Sequence, residues 1–424
     1  MIATLRSIFR NQELRNKLLL TMMVITVFRF LAHIPLPGVD IKAFRDLFAR
    51  NAFLGLLNMF SGGALSNFSV VALGLNPFIN ATIVLQLLTM VFPSLEKMAK
   101  EDKDGQRKIN QYARILTVPL ALVQSLGIYF LLRNQGIVAE LSWSRVAMMM
   151  ISLVTGAVFM IWLGELVNEH GVGNGISVLI FTGILSGMSV SFVQTLLVQT
   201  GRDFFNLILF LAMVVSVIGG IVLTSEAQRE VPIQYAQRVR GRKIYGGQAT
   251  HLPLRLNQAG VMPIIFAMSL LLLPNMAASF LSNVSWGWIS SLSQAVVEVL
   301  SNQLVYGILY FLLVVGFTYF YTAVQFNPQE VAENIQKQGG FIPGIRPGRA
   351  TVDFLNRVVG RITLVGAVFL GLIAVLPMIT PKVTGVATMR LGGTGILIVV
   401  SVIVETAKQL ESMMVMRDYD GFLK

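Results

Sequence analysis

The 424-residue chain contains no cysteine. Disulfides, thiolate metal sites and cysteine nucleophiles are therefore excluded. Histidine is nearly as scarce. His33, His170 and His251 stand singly, without the spacing of imidazoles and carboxylates that a metal site needs. No glycine-rich loop runs into Gly-Lys-Ser or Gly-Lys-Thr, so a phosphate cradle of that type is missing. No paired carboxylates or nucleophile–base pattern suggests an enzyme, and no cofactor is expected. Anything this chain moves against a gradient must draw its energy from elsewhere. Charge is also thin: Asp, Glu, Lys and Arg make up 13% of the residues, against about 25% in soluble domains. A cleavable signal peptide is not evident. Arg6, Arg10, Arg15 and Lys17 precede an apolar run, but Phe28-Arg29-Phe30 and His33-Ile34-Pro35 follow it, where small residues would mark a cleavage site.

Apolar residues are abundant, at 54% of the chain. They fall into ten blocks of about 20 residues, the length that crosses a hydrocarbon core. The blocks are 18–34, 76–92, 113–132, 146–167, 176–196, 205–223, 259–281, 304–324, 362–379 and 394–410. The expected fold is an all-α polytopic membrane protein of ten transmembrane helices. Of the 33 Lys and Arg residues, 24 lie on one side of this arrangement, 8 on the other, and Arg29 sits within the first span. The positive-inside rule then places both termini in the cytoplasm and accounts for the net charge of +12. Five spans precede residues 197–204 and five follow. Two consecutive halves of five have opposite orientations, as in an inverted repeat. The expected divisions are a tail 1–17, a first half 18–196, a second half 197–410 and a tail 411–424.

Several helix starts are legible. Asn76-Pro77 and Asn174-Gly175 offer capping asparagines, and Asn327-Pro328-Gln329-Glu330 a capping box. Pro263 lies inside the seventh span and predicts a kink. Segment 61–75, Ser-Gly-Gly-Ala-Leu-Ser-Asn-Phe-Ser-Val-Val-Ala-Leu-Gly-Leu, is too polar and glycine-rich to face lipid. A helix over 61–70 is about 15 Å long, half a membrane. Such an element is tolerated at membrane depth only inside a bundle; an ordinary extracytoplasmic loop is the alternative. Ionisable groups are scarce within the spans. Arg29, Glu165, Glu405 and Lys408 lie inside them or near their ends. This counts against an ion-coupled secondary transporter of small solutes, the main rival reading, because ion coupling uses intramembrane carboxylates. A pathway here has an apolar constriction, which closes by dewetting. The two longest cytoplasmic connections, 224–257 and 325–361, are basic and shaped by glycine and proline. They suit an acidic protein or RNA, or else anionic lipid headgroups.

Five strings carry a resemblance along the whole chain. They are Asn58-Met59-Phe60-Ser61-Gly62-Gly63-Ala64-Leu65-Ser66, Gly171-Val172-Gly173-Asn174-Gly175-Ile176-Ser177, Thr250-His251-Leu252-Pro253-Leu254-Arg255-Leu256-Asn257, Phe341-Ile342-Pro343-Gly344-Ile345-Arg346-Pro347-Gly348 and Gly392-Gly393-Thr394. In this order the sequence resembles the SecY family of protein-export channels. The resemblance implies two inverted five-helix halves around a central pore with a short plug helix. It implies a channel that passes unfolded polypeptide across the bacterial plasma membrane and releases transmembrane segments laterally into lipid.

By the same resemblance Gly62, Gly63, Ala64, Leu65, Ser66, Asn67 and Phe68 match the plug. Leu75, Ile79, Ile176, Ile180, Ile265 and Ile398 match an apolar pore ring, and Gln86 and Asn257 match polar positions of a lateral gate. Arg346, with Arg242 and Arg255, matches positions that dock the motor or ribosome. The implied partners are the small subunits SecE and SecG, the SecA ATPase, a translating ribosome, signal peptides and unfolded preproteins, and membrane lipids. From spacing alone, Leu75/Ile79 and Ile176/Ile180 are i,i+4 pairs that share a helix face. Core packing or lipid contact explains such residues equally well, as interhelical hydrogen bonding explains Gln86 and Asn257.

Overall fold

The computed structural model describes residues 12–37, 58, 61–101, 103–134, 142–198, 204–235, 238–240, 243–245, 249–281, 291, 293–296, 298–299, 302–384 and 393–422. Each of the ten apolar segments carries a helix. In chain order the elements are α1 (Gln12–Leu31), α2 (Asn76–Val91), α3 (Pro93–Glu101), α4 (Lys103–Asn134), α5 (Trp143–His170), α6 (Gly175–Val198) and α7 (Phe204–Glu226). Four strands follow: β1 (Gln228–Tyr235), β2 (Arg238–Arg240), β3 (Lys243–Tyr245) and β4 (Ala249–Arg255). The chain continues with α8 (Met262–Leu281), α9 (Gln303–Gln325), α10 (Pro328–Lys337), β5 (Gly340–Phe341), α11 (Arg349–Thr384) and α12 (Gly393–Phe422). Several helices outrun their apolar blocks. α4 starts at Lys103 and α11 at Arg349, both in polar sequence. An established helix adds a backbone hydrogen bond for each residue it fixes, so it runs on past its apolar stretch.

Among the described residues, Asp104–Phe130, Trp143–His170, Ile208–Glu226, Gln303–Lys337 and Arg349–Leu376 are long and apolar enough to cross a membrane. Asn76–Val91, Gly175–Ser189 and Met262–Leu271 are shorter apolar helices. Large apolar side chains also line the outside, among them Met22, Met23 and Phe30 on α1 and Met148 and Ile151 on α5. Helices that are apolar all round belong in lipid. Their contacts use small residues, as expected where lipid gives no hydrophobic drive for association. α9 lies along α11, and a Cβ at Gly371 would stand 2.7 Å from the Phe311 ring. Salt bridges also tie helices together: Arg114 of α4 to Glu165 of α5, and Lys408 of α12 to Glu226 of α7 at 2.7 Å.

Four features depart from expectation. The all-α reading holds for the apolar elements, whereas the connections 224–257 and 325–361 contain strands. β1 pairs antiparallel with β4 and, on its other edge, with β5. The signal was the alternation that buries Val231 and Ile233, which is the period of a strand. The Gln234–Phe341 pairing joins the two connections into one body. Its apolar core is Val231, Leu254, Ala332, Ile342, Leu355, Val358 and Val359.

The 61–70 segment is a string of turns rather than a short helix. Gly62 and Gly63 have φ of 68° and 81°, and Phe68 has φ 44°, all outside the right-handed helical region. Pro263 sits in the first turn of α8 and not mid-helix; the interior proline is Pro274. A first-turn proline loses nothing, because its missing N–H would have had no intrahelical partner. Asn76 does not cap α2. Leu75 holds the cap position, with Pro77 in the first turn. The other two caps are present: Asn174 Oδ1 accepts from Ser177 N at 3.3 Å, and Asn327 Oδ1 accepts from Gln329 N at 3.1 Å and Glu330 N at 3.5 Å.

Candidate functional site

The turns at 61–75 are buried inside the bundle. Ala64, Val71 and Phe68 have no exposed surface. One face of the segment, Leu65, Phe68, Ala72 and Leu73, packs with Ala121 of α4 and Leu153 and Ala157 of α5. At Gly156 of α5 a Cβ would lie 2.0 Å from the Val70 carbonyl oxygen, so only glycine admits the segment there. Local hydrogen bonds hold the turns in place of a helix. Asn58 Oδ1 accepts from Ser66 N at 2.8 Å, and Ser61 Oγ accepts from Leu65 N at 3.0 Å. Irregular backbone surrounded by protein is the form tolerated at membrane depth.

The other face of the segment carries Ala64, Val71 and Leu75 into a second apolar cluster. There it meets α1 through Val24 and Phe28, α5 through Met160, Leu163 and Val167, and α6 through Leu179, Ile180 and Ile184. Ile265 of α8 and Ile398, Val399 and Val402 of α12 complete the cluster. Ile79 and Ile176 pack against it half-buried. The structure thus brings together all six residues matched to the ring. They come from four places in the chain, and elements of both halves meet at this junction. Spacing along the chain pointed only to the pairs Leu75/Ile79 and Ile176/Ile180. Leu179, Ile184, Val399 and Val402 were not anticipated, since uniformly apolar helices carry no periodic signal for which face turns inward.

The turn joining α5 to α6 is built for close approach. A Cβ at Gly175 would lie 1.9 Å from the Gly164 carbonyl oxygen. Asn168 Oδ1 accepts from Gly175 N at 2.7 Å, and Thr21 Oγ1 of α1 accepts from Val172 N at 3.0 Å. These bonds fix the start of α6, and with it the direction in which Ile176 and Ile180 point.

The two polar positions are not hydrogen-bonded to each other. Gln86 is half-buried on α2. Asn257 lies in the turn before α8, where its Nδ2 donates to Gly260 O at 3.2 Å. Its Oδ1 and the neighbouring Gln258 Oε1 are buried without a partner. α8, which Asn257 precedes, packs against both α2, which carries Gln86, and α4.

Arg346 and Arg349 are exposed on the loop after β5, and Arg255 is exposed at the end of β4. Arg242 lies outside the described residues. The Arg346 loop is anchored rather than free. Ile342 is buried, Ile345 packs on the same core, and Thr351 Oγ1 donates to Arg346 O at 3.0 Å. Gly344 and Gly348 have φ of 80° and 100° with no atom near a would-be Cβ. Glycine is required there for its backbone and not for space. The guanidinium of Arg346 is therefore presented to solvent on a shaped support.

Comparison with known proteins bears directly on this arrangement. The SecY family model matches residues 69–407. The chain is similar to a protein translocase subunit SecY of Streptomyces galbus, 42% identical over 443 aligned positions and covering all of both chains. It is similar to the protein of the same name from Thermus thermophilus at 40% identity, covering all of this chain and 98% of the relative. Among solved structures, a protein-conducting channel superposes with a TM-score of 0.62 at 17% identity, covering 94% of this chain and 92% of the other. Sec61 in the canine ribosome–channel complex from the endoplasmic reticulum superposes with a TM-score of 0.60 at 17% identity, with the same coverages. The matches run from end to end of both sequence and fold, and the chain belongs to the SecY family.

Proposed function

We propose that this protein is the protein-conducting channel of a Sec translocase in the bacterial plasma membrane. One observation carries the reading. Leu75, Ile79, Ile176, Ile180, Ile265 and Ile398 meet in a single apolar cluster with the 61–75 turns packed into it. An apolar ring makes weak, non-directional contacts, so it tolerates any passing side chain. It gives ions no replacement for their water shell, and an emptied constriction closes by dewetting. The turns at 61–75 act as the plug in series with this ring. Gln86 and Asn257 belong to a lateral gate at the seam of α2 and α4 with α8. A segment in the pore leaves through that gate when it prefers lipid, on a scale of roughly −0.6 to +3.5 kcal/mol per residue. The transporter alternative is not favoured, because full-length relatives carry the translocase name.

The channel itself makes and breaks no bonds in this reading. Energy comes from a SecA ATPase or a translating ribosome on the body formed by β1, β4, β5 and α10, where Arg346 and Arg255 supply charge; Arg242 is assigned to the same docking role. SecE and SecG stand alongside in the membrane. Proteoliposomes holding this chain with its small subunits, given the ATPase, ATP and an unfolded preprotein, will protect the preprotein from external protease. Protection equal with and without ATP removes the translocase reading.

All ten helices span the membrane in two inverted halves with both termini in the cytoplasm. The division falls at 197–204, with tails at 1–17 and 411–424. The 24-to-8 split of basic residues supports this orientation. Single cysteines at Gln106, Gln248 and Gln338 will be labelled only from the cytoplasm, and at Gln199 and Ser290 only from outside. Labelling of Gln248 from outside is incompatible with the ten-span topology.

A further inference from the structure

The lone charge inside the first span has a partner far away in sequence. Arg29 Nη1, on the last turn of α1, donates to Gly62 O at 2.8 Å. A charged side chain at membrane depth must either reach the interface or find a polar group within the protein. Arg29 turns inward, half-buried, beside the fully buried Phe28 and Ala32. The carbonyl it meets is held in one place. Gly62 has φ 68°, and a Cβ there would stand 2.6 Å from Gly183 Cα of α6 and 3.1 Å from the Phe28 ring. Gly183 lies three residues beyond Ile180 of the ring.

Further bonds tie the rest of the segment to the end of α1. Asn67 Nδ2 donates to Ala32 O at 3.3 Å. Leu36 N donates to Phe68 O at 2.9 Å, and Val70 N to Ile34 O at 3.2 Å. Of these four bonds only that of Arg29 is charge-assisted, the stronger class of hydrogen bond. It also grips the segment at its first turn, against α6.

We infer that Arg29 is a positioning residue, a latch that holds the 61–75 turns in the closed channel. This rests on the channel reading above. Displacing the turns withdraws the Gly62 carbonyl and leaves a guanidinium without its partner in a poorly solvating place. The bond therefore biases the closed arrangement, and its loss raises the displaced population by about tenfold.

Ser69 reports that population. Its side chain is fully buried and its hydroxyl has no partner, so Ser69→Cys breaks no hydrogen bond of that hydroxyl. The chain has no other cysteine. Alkylation of this thiol by a membrane-impermeant maleimide, on the purified complex in proteoliposomes, tracks the fraction of time the segment is released. Arg29→Met will speed alkylation about tenfold. Arg29→Gln, which keeps a donor and loses the charge, will fall between Met and the parent. Arg29→Lys, which keeps both charge and donor, will stay within about twofold of the parent. The Gln variant gives the reading if the Met variant does not accumulate. Equal rates in the parent and in Arg29→Gln or Arg29→Met, while deletion of Gly62–Ser69 conducts ions, overturn the latch and leave the channel reading standing. A complex that also protects preprotein equally with and without ATP removes both.

Discussion

Replacing Ile79 and Ile180 together with asparagine will make the resting membrane leak ions and small molecules. Both residues belong to the cluster where α2, α6, α8 and α12 meet, with Ile180 buried and Ile79 half-buried against it. In the parent the junction is lined by apolar side chains, so an ion entering it would shed its water with nothing to replace it. An amide placed there without a partner costs about 1–3 kcal/mol. Drawing in water relieves that cost, and the water then serves the ion. At about 1.4 kcal/mol per factor of ten, the resting conductance rises on the order of tenfold. Deleting Gly62–Ser69 removes the second barrier and leaves the ring, so it leaks less than deletion and asparagines combined. Leu209→Asn serves as control. It adds the same amide at an exposed, lipid-facing site on α7, where it disturbs stability or insertion and opens no path. Planar-bilayer recordings of the purified complex separate these cases. If the double asparagine variant exports protein and stays as silent as the parent, Ile79 and Ile180 do not line the passage.

How much of this was legible in the sequence depends on the range of the interaction concerned. Features set within one turn of chain were readable. The apolar blocks carry helices, and Asn174 and Asn327 cap theirs, because a cap needs only the next three residues. Asn76 was misread for a reason of equal range: the chain at Leu75 is already near helical, with φ −93° and ψ −1°, so the asparagine lies inside the helix. The strands of the 224–257 connection announced themselves weakly. Only Val231 and Ile233 alternate, on either side of Pro232 and after the charged Arg229 and Glu230, and their partner strands lie about 20 and 100 residues further on. Contacts between helices were not readable at all. That Ile265 and Ile398 share a cluster with Leu75 follows from how apolar helices pack, and such helices look alike from every side. The family resemblance supplied those positions and left the contacts around them undescribed. Arg29 stood out as a lone charge within a span, but its partner is a backbone carbonyl, which has no residue identity to find.

Arg346→Glu will cut ATP-driven export about thirtyfold or more while leaving membrane insertion of the protein itself intact. The two effects separate because of how the loop is built. Its shape depends on Ile342 and Ile345 in the small apolar core, on Gly344 and Gly348, and on Thr351 bonding to the backbone of residue 346. The Arg346 guanidinium takes no part in that support and is exposed. Reversing its charge therefore leaves the loop standing and changes only what it presents. A charge that is paired and desolvated in a complex costs about 2–5 kcal/mol when its partner is lost, and reversal adds repulsion. The lower figure corresponds to the thirtyfold loss. Arg349→Glu makes the same change in charge three residues away, at the first position of α11, also exposed. If Arg346 meets an acidic group of the motor directly, its variant is far the more damaging, and added salt does not level the two. If the loop is only a basic surface facing lipid headgroups, both variants have equal, mild effects that vanish as salt screens them. Export rates of the two variants at low and high ionic strength therefore distinguish a docking contact from a field.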